Sequence, residues 1–224
     1  MSAHAPLVGP AAGSLSSRYA GKTVLAVGAH PDDIEIGIGG MLARFARAGA
    51  RTVMAIVSIP TEFETRLSEA RRGAQILGAE LRLMMDGGCR RIEDVKSYEL
   101  VAMLDQLVRE FQPAALITHG NTDFHRDHLL VHHACLPTQR LRFFDFFCFH
   151  PTQCRPVPIP FHPRVYVDVT DTIDAKMDAI MAHASQFGGR SLPTDIFRDV
   201  ARVQGRMVGV EYAEGVDVMR MLVA

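Results

Sequence analysis

Two short stretches of the chain carry side chains that bind metals and move protons. They are Ala29-His30-Pro31-Asp32-Asp33 and, far downstream, His125-Arg126-Asp127-His128. His30, Asp33 and His128 together offer an N,O,N ligand set, which suits zinc held by three protein ligands with a fourth position open to water. Asp32 sits beside a ligand and points elsewhere, leaving a carboxylate free to take a proton from that water. His125 is one helical turn before His128, where its ring can stabilise an oxyanion or protonate a leaving amine. Asp127 is a natural partner for His125, holding its tautomer and keeping it protonated. A lone histidine is most often a hydrogen-bonded core residue, and an Asp pair after a strand is most often a helix N-cap. Two His/Asp clusters, each following a strand, are poorly explained in those terms.

The elements that must hold the clusters alternate along the chain. Thr23–Ala29 is a short β-branched and apolar run, the pattern of a buried parallel strand. A helix follows over Ile38–Ala48, stopped by Gly49, then a strand over Arg51–Ser58 and a helix over Glu64–Leu77 closed by Gly78. A third strand spans Glu80–Met85, a long amphipathic helix Val95–Phe111, and a fourth strand Ala114–Thr118. This alternation predicts an α/β fold: a Rossmann-like, doubly wound, mostly parallel sheet in a single domain. In the usual winding, strands one and four are neighbours where the strand order reverses, and ligands bind outside their carboxyl ends. The two clusters are therefore expected to meet.

Beyond residue 129 the pattern loosens. A helix is expected over Asp127–Cys135, strands over Phe143–His150 and Arg164–Val169, and helices over Thr172–Gln186 and Asp195–Met207. The phenylalanines of Phe143-Phe144-Asp145-Phe146-Phe147 read as buried strand, and the five prolines within 151–163 as an extended loop. His132 and His133 read as helix surface or as neighbours of the ligands, and His119, at the end of the fourth strand, as within reach of the site, with a core role the more ordinary reading for a lone histidine.

Composition narrows the class. The 224 residues are 48% hydrophobic and 22% charged with a formal net charge of -1, which is ordinary for a globular domain and offers no basic surplus for nucleic acid. Four scattered cysteines without a C-x-x-C pair fit reduced thiols in a cytoplasm. No apolar run reaches the length of a bilayer span. Residues 1–21 read as a flexible N-terminal arm and 22–224 as the catalytic domain.

The paired motifs AHPDD and HRDH resemble those of the LmbE/PIG-L family of zinc-dependent N-acetylglucosaminyl deacetylases. The likeness extends to IEIGIGGMLARFARAG, to RLSEARRGAQILGAE, to Asp86-Gly87, and to the closing segments VYVDVTDTIDAKMDAIMAHASQ and GVEYAEG. Position by position, the resemblance implies metal ligands at His30, Asp33 and His128, a general base at Asp32 and an oxyanion-stabilising histidine at His125 supported by Asp127. It also implies substrate contacts at Arg66 and His183. Many members have proline where this chain has Arg126. The expected activity is removal of the N-acetyl group from an N-acetylglucosamine-type sugar or glycoconjugate, releasing acetate and a free amine. The metal is Zn2+, with Fe2+, Co2+ or Mn2+ as alternatives; the partner is a small amino-sugar substrate, and relatives are often homo-oligomers.

Two other readings use the same residues: a metal-dependent phosphoesterase, and a non-catalytic metal-binding homologue. A dinucleotide-binding oxidoreductase does not fit, because His-Pro-Asp-Asp occupies the phosphate turn and Gly37, Gly39 and Gly40 come too late.

Overall fold

A computed structural model describes residues 14–151, 161–188 and 194–223. Strand β1 (Thr23–Gly28) leads into helix α2 (Asp33–Arg47), preceded by a short helix α1 (Leu15–Arg18). Strand β2 (Arg51–Ile56), helix α3 (Phe63–Leu77) and strand β3 (Glu80–Leu83) follow. Helix α4 (Ser97–Phe111), strand β4 (Ala115–His119), helix α5 (Arg126–Cys135) and strand β5 (Asp145–Phe149) continue the winding. The chain then runs through β6 (Val165–Asp168), α6 (Ile173–Met181), α7 (Ala184–Phe187), α8 (Asp195–Val208) and β7 (Ala213–Arg220).

The strands form one sheet in the order β3-β2-β1-β4-β5-β7-β6. Pairs among β1 to β5 are parallel, and β7 lies antiparallel to both β5 and β6. The order reverses between β1 and β4, as the alternation predicts. Successive residues of β1 serve opposite faces: Val24 and Ala26 enter the core beneath α2, α3 and α6, whereas Leu25 and Val27 enter the one beneath α4 and α5. Among the described residues no helix is long and apolar enough to cross a membrane.

Helix α2 starts at Asp33, one turn before the expected start, and is kinked at Ile38 (φ −145°, ψ 24°). Its first turn therefore carries the motif and its second segment the apolar face. The kink breaks the helical ladder between Ile36 and Gly40, and a buried ion pair replaces the missing bonds. Lys176 Nζ donates to the Ile36 carbonyl (2.6 Å) and to Glu214 Oε1 (2.5 Å). Glu214 accepts in turn from the Gly40 N–H (3.0 Å) and the Met41 N–H (2.6 Å). The glycine-rich sequence serves packing: a Cβ at Gly37 would lie 2.2 Å from the Phe149 ring, so α2 can approach β5 only with glycine there.

Three expectations are corrected. The flexible arm does not extend to residue 21, because Tyr19 is buried and its hydroxyl donates to Asp145 Oδ2 (2.8 Å), beside Arg18 Nε at 2.9 Å; residues 1–13 lie outside the described residues. The helix expected over Thr172–Gln186 is interrupted between Met181 and Ala184. Strand β7 was not expected, since it carries Glu214 into the interior, and a charged residue masks an otherwise buried strand. Phe144, Phe146 and Phe147 are buried as the sequence suggests, whereas Phe143 is exposed under Arg220. The proline-rich loop lies mostly in 152–160, outside the described residues.

Candidate active site

The loop after β1 and the start of α5 meet at the carboxyl edge of the sheet. Asp33, the first residue of α2, turns one carboxylate oxygen back to accept the His30 N–H (Asp33 Oδ2, 2.8 Å). Its other oxygen lies 3.2 Å from His128 Nε2. His30 Nδ1 is 3.7 Å from Asp33 Oδ2, so the three expected ligands converge. Each of the two histidines is held from behind by a carboxylate: His30 Nε2 by Asp127 Oδ2 (3.0 Å), and His128 Nδ1 by Asp123 Oδ2 (2.7 Å). Carboxylate–histidine pairing of this kind fixes the ring and leaves the opposite nitrogen as a metal ligand.

Ligand atoms also cluster in two overlapping groups, His30 with His125 and His128, and Asp33 with His119 and His128. The hydrogen bonds separate ligands from neighbours. His119 Nε2 already accepts the Ala29 N–H (2.9 Å), and its ring stacks on His128 with centroids 4.0 Å apart. Burial, with the neighbouring His128 charge adding to it, lowers His119 to about 4, so it is a neutral packing partner. His30, Asp33 and His128 each belong to one or both of these groups. Mixed imidazole and carboxylate donors fit zinc or a similar divalent ion.

The electrostatics agree with a site built for a cation. Burial alone would raise Asp33, yet the His128 charge and hydrogen bond beside it hold the carboxyl well below the usual range. Burial would lower His128, but Asp33 and Asp123 push it up to about 10. Two carboxylates thus compete for a positive charge at His128, the place a dication would fill.

Asp32 is the strained residue of the loop. Its φ of 90° with ψ −28° lies in the left-handed region that non-glycine residues avoid, at a cost of roughly 1–3 kcal/mol. Burial raises its carboxyl to about 7; Asp33 adds to the rise, while His183 and Arg66 oppose it. A bound dication would pull the value down again. A carboxylate beside His30, Asp33 and His128 is suited to moving protons.

His125 caps α5. Its Nδ1 accepts the Asp127 N–H (3.2 Å), which leaves the proton on Nε2. This corrects the pairing expected from sequence: the Asp127 carboxylate goes to His30, and only its backbone reaches His125. Burial, His128 and His30 lower the pKa of His125, so it is a neutral N–H donor and not a cation kept charged by Asp127. Arg126 is the first residue of α5, a position that proline also suits.

Arg66 is buried, donates to the Pro31 carbonyl (3.3 Å) and lines the same cleft as His30, Asp32 and His128. His183 does not line it. Its side chain is fully buried, its Nε2 lies 2.9 Å from Glu35 Oε1, and its charge opposes the rise of the Asp32 carboxyl. His132 is buried with Nδ1 on the His119 carbonyl (2.8 Å), and His133 is exposed.

Asp123 was missed in the sequence. The signal was an acidic residue just upstream of a ligand motif whose second histidine needed a partner. Asp123→Asn is expected to weaken metal binding by roughly 10–100-fold. Competition with a chromogenic chelator would measure this; unchanged affinity would remove Asp123 from the site.

Comparison with known proteins places these residues in context. The family model described as PIG-L, GlcNAc-PI de-N-acetylase, matches residues 25–138. The uncharacterized deacetylase YaiS of Escherichia coli (strain K12) is 28% identical over 76% of this chain and 95% of its own length. The diacetylchitobiose deacetylase of Thermococcus kodakarensis is 26% identical over 87% of this chain and 82% of its own. Among solved structures, a conserved protein of Thermus thermophilus superposes with a TM-score of 0.74 at 26% identity, covering 91% of this chain and 97% of the other.

Proposed function

Because the chain belongs to the PIG-L family, we propose that it is a metal-dependent deacetylase that removes the acetyl group from an N-acetylglucosamine-type sugar or glycoconjugate. The observation that carries this reading is the convergence of His30, Asp33 and His128, each histidine anchored by its own carboxylate, beside the strained Asp32. His30, Asp33 and His128 would hold zinc or another divalent ion. When bound, such an ion supplies a Lewis acid that polarises the amide carbonyl and makes water more acidic.

The chain's own groups do the rest. Asp32 takes a proton from the attacking water as its oxygen bonds to the acetamide carbon. His125 offers its Nε2–H to the oxyanion that develops there. The C–N bond then breaks, and the amine leaves with the proton that Asp32 returns, yielding acetate and a free amino sugar. Arg66 holds a sugar hydroxyl against the loop. His183, paired with Glu35, steadies the charge of Asp32 from below.

The test is a panel of 2-acetamido sugars and conjugates incubated with metal-loaded protein. The reading expects free amine and acetate in equal amounts and no phosphate from a panel of phosphomonoesters. Phosphate release without amine would replace it with phosphoester hydrolysis. Silence toward both panels in protein that holds metal would favour a non-catalytic homologue.

A further inference from the structure

The side chains read as metal ligands sit on two separate segments, the loop after β1 and the first turn of α5, and one residue of β4 touches both. His119, the last residue of that strand, is fully buried. Its Nε2 accepts the Ala29 N–H (2.9 Å), so the ring proton sits on Nδ1. The next N–H along the loop, that of His30, goes to Asp33 Oδ2 (2.8 Å). The two accepting atoms, His119 Nε2 and Asp33 Oδ2, are 3.4 Å apart. Consecutive backbone N–H groups are thus received side by side, which sets the direction in which the chain presents His30.

Contact with α5 is made twice. The His119 ring stacks on His128, with centroids 4.0 Å apart and planes at 11°, and the His119 carbonyl accepts from His132 Nδ1 (2.8 Å). His128 and His132 are one helical turn apart, so a single residue fixes both the approach and the rotation of α5. Phe149 of β5 supports the His119 ring in turn (centroids 4.8 Å), and the same phenylalanine packs against Gly37 of α2. A buried imidazole is a costly way to fill this place. Its Nδ1 meets no hydrogen-bond partner among the described residues, a cost that a phenylalanine ring would not carry. What imidazole supplies and phenylalanine cannot is the acceptor for Ala29.

Building on the reading of His30, Asp33 and His128 as metal ligands, we propose that His119 is a positioning residue of the metal centre: its Nε2 orients the His30 loop, and its ring and carbonyl seat α5, so that His30 and His128 face a common point before an ion arrives. The hydrogen bond to Ala29 is the decisive contact, because it acts on the backbone next to a ligand.

The test titrates cobalt(II) into chelator-stripped parent, His119→Phe and His119→Gln, following the visible absorption of the bound ion and its competition with a chelator. Phenylalanine keeps the ring and the stack but leaves the Ala29 N–H buried without a partner. Glutamine gives up the ring and returns an acceptor oxygen within reach of that N–H. His119→Phe should weaken binding by roughly 10–100-fold and His119→Gln by no more than about threefold, with the absorption of the glutamine variant unchanged from the parent.

The opposite order, with phenylalanine at parent affinity and glutamine weakened, would reduce His119 to a packing residue and overturn the proposal. Equal and large losses in both, with an altered absorption band, would overturn it by making His119 a ligand. If the phenylalanine variant does not fold, glutamine alone decides, since a loss of about tenfold or more there contradicts the proposal. A parent protein that binds no cobalt(II) would overturn the metal-site reading together with this one.

Discussion

Replacing Asp32 with asparagine is expected to lower kcat by about a thousandfold or more, within the roughly 10²–10⁴-fold range of a positioned general base, while metal still binds at parent stoichiometry. Asparagine matches the carboxylate in size and tolerates the left-handed backbone better than most residues, so the loop that carries His30 and Asp33 should keep its shape. The amide can hydrogen-bond water but cannot take its proton. Neither His125 nor Asp127 can substitute: His125 Nδ1 is occupied by the Asp127 N–H, and the Asp127 carboxylate is committed to His30. The measurement is single-turnover amine release alongside metal analysis of the same sample. Near-parent turnover would assign the proton transfer elsewhere; loss of metal together with activity would make Asp32 a structural residue of the loop.

The second large effect is on stability. Glu214→Leu should destabilise the fold by about 3–5 kcal/mol, the usual consequence of leaving one partner of a buried ion pair alone. The variant strands the Lys176 ammonium, which is 3% exposed, and removes the acceptor for the Gly40 and Met41 N–H groups at the α2 kink. For a chain of this length each kcal/mol shifts the melting temperature by about 2–4 °C, so a fall of roughly 6–20 °C is expected. The double variant Lys176→Met, Glu214→Leu should recover part of the loss, because a buried pair exchanged whole for apolar residues is often tolerated. Recovery stays incomplete, since the Ile36 carbonyl and the two N–H groups still lack partners. Thermal melts of the three proteins decide it. A Glu214→Leu shift below 2 °C would show that solvent reaches the pair and that the kink does not depend on it.

These two residues show what a sequence reveals and what it hides. Asp32 was legible because its neighbours His30 and Asp33 are chemically conspicuous, and because the position after a first parallel strand is where such folds bind ligands. The adjacency of β1 and β4 was legible for a similar reason: continuous apolar runs alternating with amphipathic helices admit few arrangements. Glu214 was not. Its role depends on a kink at Ile38 and on Lys176 arriving from α6, three segments whose meeting no local pattern announces. The same carboxylate hid β7, since a charged residue in a short run argues against a buried strand.

Partner choice within the site was also beyond local reasoning. Adjacency suggested that the Asp127 carboxylate serves His125, whereas the helical turn at the start of α5 carries it to His30. Asp123 could have been inferred, because a ligating histidine needs a second-side partner and an acidic residue stands nearby in the same loop. Burial of Tyr19 against Asp145 could not, since nothing in the first twenty residues indicates a docking site on β5.

The proposed chemistry is metal-dependent amide hydrolysis at the His30, Asp33 and His128 centre. The most direct measurement is titration of chelator-stripped protein with zinc, and separately with iron(II), cobalt(II) and manganese(II), while amine release from an N-acetylglucosamine conjugate is followed. No release is expected before metal is added, and a rise to a plateau at stoichiometric metal is expected with at least one of the four ions. Full release by the stripped protein, or binding of the metals with no release under any of them, would contradict it.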